Sequence, residues 1–188
     1  MTERLGVAPG GHGVHPLMGT HNALWSLGDC YLEVIAVDPD AEAQRRRWFG
    51  LDDPEVRCTL DQGPRLHHWV ARVADLDAAR GSTSLPLGPA VRVTRAGLHW
   101  DLTVRDDGAL VEGGRAPTLI AWPASVRTPE RTLPDSGARL TRIEIGAPSD
   151  ALRGLVGGME RVCLRDAPRF AVTLRRSDGR EVEIAQRL

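Results

Sequence analysis

The chain has 188 residues, a formal net charge of −1, and 41% hydrophobic residues. This length suits one compact domain or two small modules that share a core. The near-zero net charge argues against partners held by bulk electrostatics, such as nucleic acid or anionic membranes. The 13 prolines and 20 glycines favour strands linked by turns over long helices.

Three cysteines, Cys30, Cys58 and Cys163, lack the spacing of a CxxC pair or a zinc finger. Free thiols of this kind are typical of the reducing cytosol. No apolar run reaches the length of a membrane span, and the first residues lack the pattern of a signal peptide. We therefore expect a cytoplasmic protein with neither a nucleic-acid nor a membrane partner.

The first elements in chain order form a hairpin that follows a glycine-rich lead-in over residues 1–13. The pattern predicts strands at Thr20–Leu27 and Tyr31–Val37, joined by a Gly-Asp turn. Segment Ala41–Phe49 is predicted to form a short helix with its arginines in water, ended by the following Asp-Asp-Pro.

The next unit begins with a predicted strand at His67–Val73. Asp75 then has the position of an N-cap for a helix over Leu76–Arg80. Further strands are predicted at Val91–Thr94, Leu98–Arg105 and Thr118–Trp122. The order is therefore strand, helix, and three strands.

The last unit, residues 138–188, follows a Pro-, Ser- and Thr-rich linker over residues 123–137. Ser149 or Asp150 is predicted to cap its helix. The predicted elements are a strand at Leu140–Ile145, a helix at Ala151–Met159, and strands at Val162–Leu164, Phe170–Arg175 and Glu181–Ile184. We expect this extra β-α-β module to pack on the rest of the same domain.

A strand, an acidic cap and a helix recur in VARVADLDAA and EIGAPSDALRGL. An internal repeat of roughly 50–70 residues is therefore expected. The predicted fold class is α+β, with repeated modules that form a cupped, curved sheet and helices on its outer face.

Alternation along the strands predicts where ionisable side chains point. In Tyr31–Val37, Glu33 lies opposite a purely apolar face, and in His67–Val73 the residues His68 and Arg72 share the face away from the helices. That face is concave in a curved sheet, where ligands bind. A buried Glu or His needs a partner. Two interpretations stay open. The residues form a metal or polar-ligand site, or Glu33 forms a structural pair with Arg72 or with another arginine.

Several segments resemble the glyoxalase-like domain proteins of the vicinal oxygen chelate superfamily, which includes glyoxalases, bleomycin resistance proteins and dioxygenases. The first segment, HPLMGTHN, is similar to the family's HPxxGTxN stretch. The resemblance rests on His15–Asn22, Tyr31–Glu33, Ala36–Pro39, His68–Leu76, Leu119–Trp122 and Leu140–Asp150.

The resemblance implies a cup built from paired βαβββ modules. Residues 1–65 would be a first module that lacks its opening strand and most of its helix, and residues 66–122 a complete second module. Glu33 and His68 would be the catalytic residues and the ligands of a divalent metal ion, whereas Ala121 would stand where metal-using relatives keep a ligand. The expected ligand-binding residues are His15, Thr20, Asn22, Arg72, Trp100 and Trp122.

Two functions follow from the resemblance. The first is metal-assisted lyase, isomerase or dioxygenase chemistry on a small oxygenated molecule. The second is a non-catalytic module that binds or sequesters such a molecule with an incomplete metal site. The missing strand implies a true start further upstream, a strand from a partner chain, or a shortened binding module, and its open edge predicts a homodimer.

Overall fold

A computed structural model describes residues 1–95 and 97–186. Its strands are β1 (Gly11–His15), β2 (Thr20–Ser26), β3 (Tyr31–Val37), β4 (Val70–Arg72), β5 (Ala90–Arg95), β6 (Leu98–Thr103), β7 (Thr118–Ala121), β8 (Arg139–Gly146), β9 (Val162–Arg165), β10 (Phe170–Arg175) and β11 (Glu181–Ala185). Its helices are α1 (Thr2–Leu5), α2 (Pro54–Leu60), α3 (Leu76–Gly81), α4 (Pro129–Thr132) and α5 (Asp150–Val156), with a 3₁₀ turn at Val111–Gly114.

The strands form three sheets, and the predicted α+β class is confirmed. The first sheet is the antiparallel meander β1-β2-β3. The second has the order β4-β7-β6-β5, in which β4 lies parallel to β7. The third has the order β11-β10-β8-β9, with β9 parallel to β8. No helix among the described residues is long and apolar enough to cross a membrane.

Local signals place the helix starts correctly in the second and third units. The Asp75 carboxylate accepts a hydrogen bond from the backbone N–H of Ala78 and so caps α3. The Ser149 hydroxyl accepts one from the backbone N–H of Leu152. Of the two predicted caps for α5, Ser149 is therefore the one used.

The helix predicted over Ala41–Phe49 is wrong, because that segment has no regular secondary structure. The Asp52 carboxylate binds both the backbone N–H and the guanidinium of Arg47, at 2.7 and 2.8 Å, and so bends the chain. The helix begins instead at Pro54, where proline favours a first turn.

Two further segments depart from the predictions. The glycine-rich lead-in contains the first residues of β1, and this strand pairs with β2 along its whole length. The segment predicted as a linker contains α4.

The first sheet has a hydrophobic core cluster packed against each of its two faces. On one side, Trp25 packs with residues of the third sheet such as Phe170 and Ile145. On the other side, Met18 and Trp48 pack with Trp100 of the second sheet. The face of the first sheet that packs against the second sheet is the inside of the cup. The third sheet covers part of the opposite, outer face.

Gly108 holds the irregular segment that carries Trp48 and Phe49 against the second sheet. Its carbonyl accepts the backbone N–H of Gly50 at 2.7 Å, its φ is +69°, and an added Cβ would collide with the Arg47 carbonyl oxygen.

We expect Gly108→Ala to lower the free energy of unfolding by about 2 kcal/mol, because alanine is strained at this φ and the backbone must also shift. Chemical denaturation measures the loss. Gly179→Ala is the control, since that glycine also has a positive φ but its Cβ would meet open space. An equal loss of stability in both variants would show that the close approach of Gly108 to the Arg47 carbonyl oxygen does not contribute.

Candidate functional site

Strand register brings four of the predicted residues onto the cup face of the first sheet. Directly paired residues in antiparallel strands point to the same side. Leu24 pairs with Glu33, and His15 pairs with Thr20. Thr20, Asn22 and Leu24 are alternate residues of β2 and therefore point to the same side. His15, Thr20, Asn22 and Glu33 thus form one polar cluster.

Hydrogen bonds link this cluster. The Asn22 amide Nδ2 donates to Glu33 Oε1 at 2.6 Å and lies 3.5 Å from His15 Nε2. His15 Nδ1 lies 3.1 Å from Thr20 Oγ1. Because Asn22 donates towards Nε2, the proton of a neutral His15 belongs on Nδ1, where Thr20 accepts it. Thr20 and Asn22 therefore orient His15 and Glu33.

Burial favours the neutral forms of both ionisable groups in the cluster. Burial raises the pKa of Glu33, although the Asn22 hydrogen bond and the charge of Arg95 oppose the rise. Burial and then the Arg95 charge lower the pKa of His15 to about 4. Glu33 is therefore shifted towards a carboxylic acid, which can donate a hydrogen bond.

His68 lies on the other side of the cup, just before β4, and both of its ring nitrogens have protein partners. Nε2 lies 3.1 Å from the backbone nitrogen of Thr118 and 2.9 Å from its hydroxyl oxygen. Nδ1 lies 3.2 Å from the carbonyl oxygen of Gly114. Since the backbone N–H donates to Nε2, the ring proton belongs on Nδ1. Burial lowers the pKa of His68 to about 3, so the ring is neutral.

A row of ring contacts runs from His15 in the first sheet to His68. Phe49 lies 5.0 Å from the His68 ring, and Trp48 stacks on Phe49 at the same centroid distance. Trp48 in turn meets the edge of His15 at 5.0 Å. The sequence does not reveal either aromatic residue as part of the site, because the composition of their segment favours a surface helix.

The cup retains a small cavity of about 40 Å³, enough for a few water molecules. Glu33, His15 and Tyr31 line one side, and Trp100 and Trp122 line the other, with ring centroids 4.9 Å apart. The predicted placement of Trp100 and Trp122 in the cavity is therefore supported by the geometry.

One wall of this cavity carries an unused hydrogen-bond donor. Trp48 is 3% exposed, and its indole Nε1 has no hydrogen-bond partner among the described residues. A buried N–H without an acceptor costs roughly 1–3 kcal/mol. An oxygen atom inside the cavity would satisfy it.

Arg72 lies at the rim, where its guanidinium binds the Glu130 carboxylate at 2.7 Å. The Glu33–Arg72 pair considered from the sequence is therefore not formed. Arg95 is the arginine whose charge acts on Glu33, and its guanidinium lies 5.8 Å from the Trp100 ring centroid. No pattern in the sequence singles out Arg95.

Ala121 also needs a correction. It packs on the helix side of the second sheet with Leu119 and Leu76, so it does not face the cup. Ile120 and Trp122 are the residues of this stretch that line the cavity. Neither is a metal ligand, so the second module still lacks a ligand on its last strand.

A family model described as a glyoxalase-like domain matches residues 1–156. The chain belongs to the glyoxalase-like domain family. No curated protein matches the chain.

The described residues of this glyoxalase-like chain do not offer a donor set suited to a divalent metal ion. Metal sites in proteins need several converging donors. Among residues 1–95 and 97–186, no three His, Cys, Asp or Glu side chains form a group that could hold one. His68 keeps no free ring nitrogen, and one oxygen of Glu33 already accepts from Asn22. The Glu33–His68 metal pair stays a prediction that this geometry does not favour.

Proposed function

We propose that this glyoxalase-like protein binds a small oxygenated molecule in the cup without a metal ion. The buried, unpartnered indole N–H of Trp48 carries this proposal, because Trp48 lines the cavity and an oxygen acceptor bound beside it would satisfy this N–H. Glu33, shifted towards its acid form, supplies a second donor nearby. The two groups together suit a carbonyl or carboxyl group of the ligand.

The aromatic residues define the size of the bound group. Trp100 and Trp122 form an apolar wall, and Trp48 and Phe49 close the opposite side. Only a group of a few heavy atoms fits the cavity of about 40 Å³. Metal-assisted lyase, isomerase or dioxygenase chemistry has weaker support, because His68 would have to give up a hydrogen bond to become a ligand.

The test is calorimetric titration with glyoxylate and pyruvate as probes, in buffer with a chelator. We expect binding by the parent chain and about tenfold weaker binding by Trp48→Phe, because phenylalanine keeps the aromatic ring and loses the N–H donor. Glu33→Ala should weaken binding further.

Trp69→Phe is the matched control, because the Trp69 indole donates to the Arg115 carbonyl on the helix side of the sheet. Trp69→Phe should be less stable than the parent chain and should bind the two probes with unchanged affinity. Equal affinities in the parent and in Trp48→Phe would contradict the proposal. Binding that appears only when Zn²⁺ or Mn²⁺ replaces the chelator would favour the metal-dependent alternative.

A further inference from the structure

Strand register places Arg95 on the cup face of the second sheet, at the end of β5. Val93 pairs with Trp100, and both residues pack in the hydrophobic cluster inside the cup. Arg95 lies two residues beyond Val93 and therefore points to the same side of the strand. Its side chain lines the small cavity that Glu33 and Trp48 also line. Arg95 is thus a cationic side chain at the candidate site.

The neighbouring strand β1 leaves room for this guanidinium. An added Cβ at Gly13 would lie 2.7 Å from Arg95 Cδ and 2.8 Å from its Nη1, so the arginine occupies space that any larger residue would fill. The Trp100 ring lies on another side, with its centroid 5.8 Å from Arg95 Cζ. Because arginine packs well on aromatic rings, Gly13 and Trp100 together hold the guanidinium at the wall of the cavity.

The charge of Arg95 has no counterion in direct contact. Within the part of the chain that the structure describes, no ion pair or hydrogen bond engages its guanidinium. Arg92 of the same strand points to the opposite face, where it binds the Asp101 carboxylate at 2.7 Å. Arg95 is half-buried, so its charge is only partly hydrated. A partly buried cation without a partner favours the binding of an anion.

The other ionisable groups of the cavity do not cancel this charge. Burial raises the pKa of Glu33 and so favours its acid form. Burial and then the Arg95 charge lower the pKa of His15 to about 4, so that ring is neutral near pH 7. Burial also raises the pKa of the Tyr31 hydroxyl, which stays protonated. With Glu33 in its acid form, the cavity carries a net positive charge.

Arg95 also lies where the cavity meets the outside of the cup. It lines both the cavity and an open space of about 640 Å³ beside the first sheet. An anion in solution therefore meets the guanidinium before it passes the apolar walls formed by Trp100 and Trp122.

We propose that Arg95 binds a carboxylate of the ligand, so that the cup prefers small monocarboxylate anions to neutral aldehydes, ketones and amides. This inference rests on the function proposed above and names the class of its ligand. A planar guanidinium and a planar carboxylate form two parallel hydrogen bonds. Phosphate fits less well, because it carries nearly two negative charges near pH 7 and the cavity offers one cation.

Calorimetric titration at pH 7 with pyruvate and with pyruvamide, its neutral amide, tests the role of Arg95. The parent chain should bind pyruvate more tightly than pyruvamide. Arg95→Gln should bind pyruvate about thirtyfold more weakly, because it loses charge-assisted hydrogen bonds, and should bind pyruvamide as the parent does. Arg95→Lys should give an intermediate affinity for pyruvate, since lysine keeps the charge and loses the planar pair.

Two matched controls are available in β5 and β1. Arg92→Gln removes an arginine from the opposite face of the same strand and should keep the parent's affinity for pyruvate. Gly13→Ala keeps the charge of Arg95 but displaces its side chain, and it should weaken pyruvate binding about tenfold. Gly11→Ala should leave the affinity unchanged, because its Cβ would approach Leu133 Cδ2 at the same distance of 2.7 Å.

The outcomes separate this inference from the function proposed above. Pyruvate binding that weakens in Trp48→Phe but not in Arg95→Gln overturns the role of Arg95 and leaves the proposed function in place. Binding that weakens in Arg95→Gln but not in Trp48→Phe supports Arg95 and contradicts the role given to Trp48. A parent chain that binds pyruvate and pyruvamide equally, binds neither, or binds inorganic phosphate more tightly than pyruvate overturns the inference.

Discussion

His68→Ala is expected to lower the free energy of unfolding by about 3 kcal/mol and to leave metal binding unchanged. The variant removes the partner of the Gly114 carbonyl and one of the two acceptors of the Thr118 backbone N–H, which also donates to the Trp69 carbonyl at 3.2 Å. A buried group left without a partner costs roughly 1–3 kcal/mol. The variant also removes the ring that packs on Phe49.

Urea denaturation measures the stability of this variant, and titration with Zn²⁺ or Mn²⁺ measures its metal binding. His21→Ala is the control, because the His21 side chain is exposed on the outer face of the first sheet. It should change the free energy of unfolding by less than about 0.5 kcal/mol. A metal affinity that falls in His68→Ala with unchanged stability would restore the ligand role predicted from the sequence.

The free energy of unfolding is expected to fall steeply as the pH drops from 6.5 to 4. In the folded chain the pKa of His68 is about 3 and that of His15 about 4, against an ordinary value of 6.5. In this window the unfolded chain binds protons that the folded chain excludes, so acid favours unfolding. Each histidine contributes roughly 2–3 kcal/mol over the window, at about 1.4 kcal/mol per pKa unit.

Glu33 has the opposite sign, because its folded pKa is raised. Its contribution is fully present below pH 4.5 and is lost as the pH rises through the folded pKa. It therefore offsets part of the slope caused by the histidines.

Denaturation curves at a series of pH values measure this slope. His15→Gln and His68→Gln should each reduce it by about one proton, even where the variant is less stable overall. Glu33→Gln should increase it. A slope that is the same in the parent and in both histidine variants would mean that these side chains are not buried as described.

The parts of the site that depend on local alternation are predictable from the sequence. The two-residue period of β3 placed Glu33 on the cup face, and the resemblance added His15, Thr20 and Asn22. The partners of His68 were out of reach, because Gly114 and Thr118 are 46 and 50 residues away in the chain. Only the tertiary fold brings them together.

The wrong predictions of secondary structure also have causes that lie in the tertiary fold. The Ala41–Phe49 segment has helical composition, but burial of Trp48 and Phe49 in the cup overrides that propensity. Strand β1 contains Gly11 and Gly13, which weaken any strand signal, and it forms through its long-range pairing with β2.

The ring row His15–Trp48–Phe49–His68 has a kinetic consequence. It joins the first sheet to the start of β4, and every ring in it contacts the next one. Because Trp48 and Phe49 are consecutive, a movement that takes both of them out of the cup breaks the contacts with His15 and with His68 together. Ligand entry would therefore proceed through a single opening step, and the rate of binding would reach a plateau set by that step at high ligand concentration.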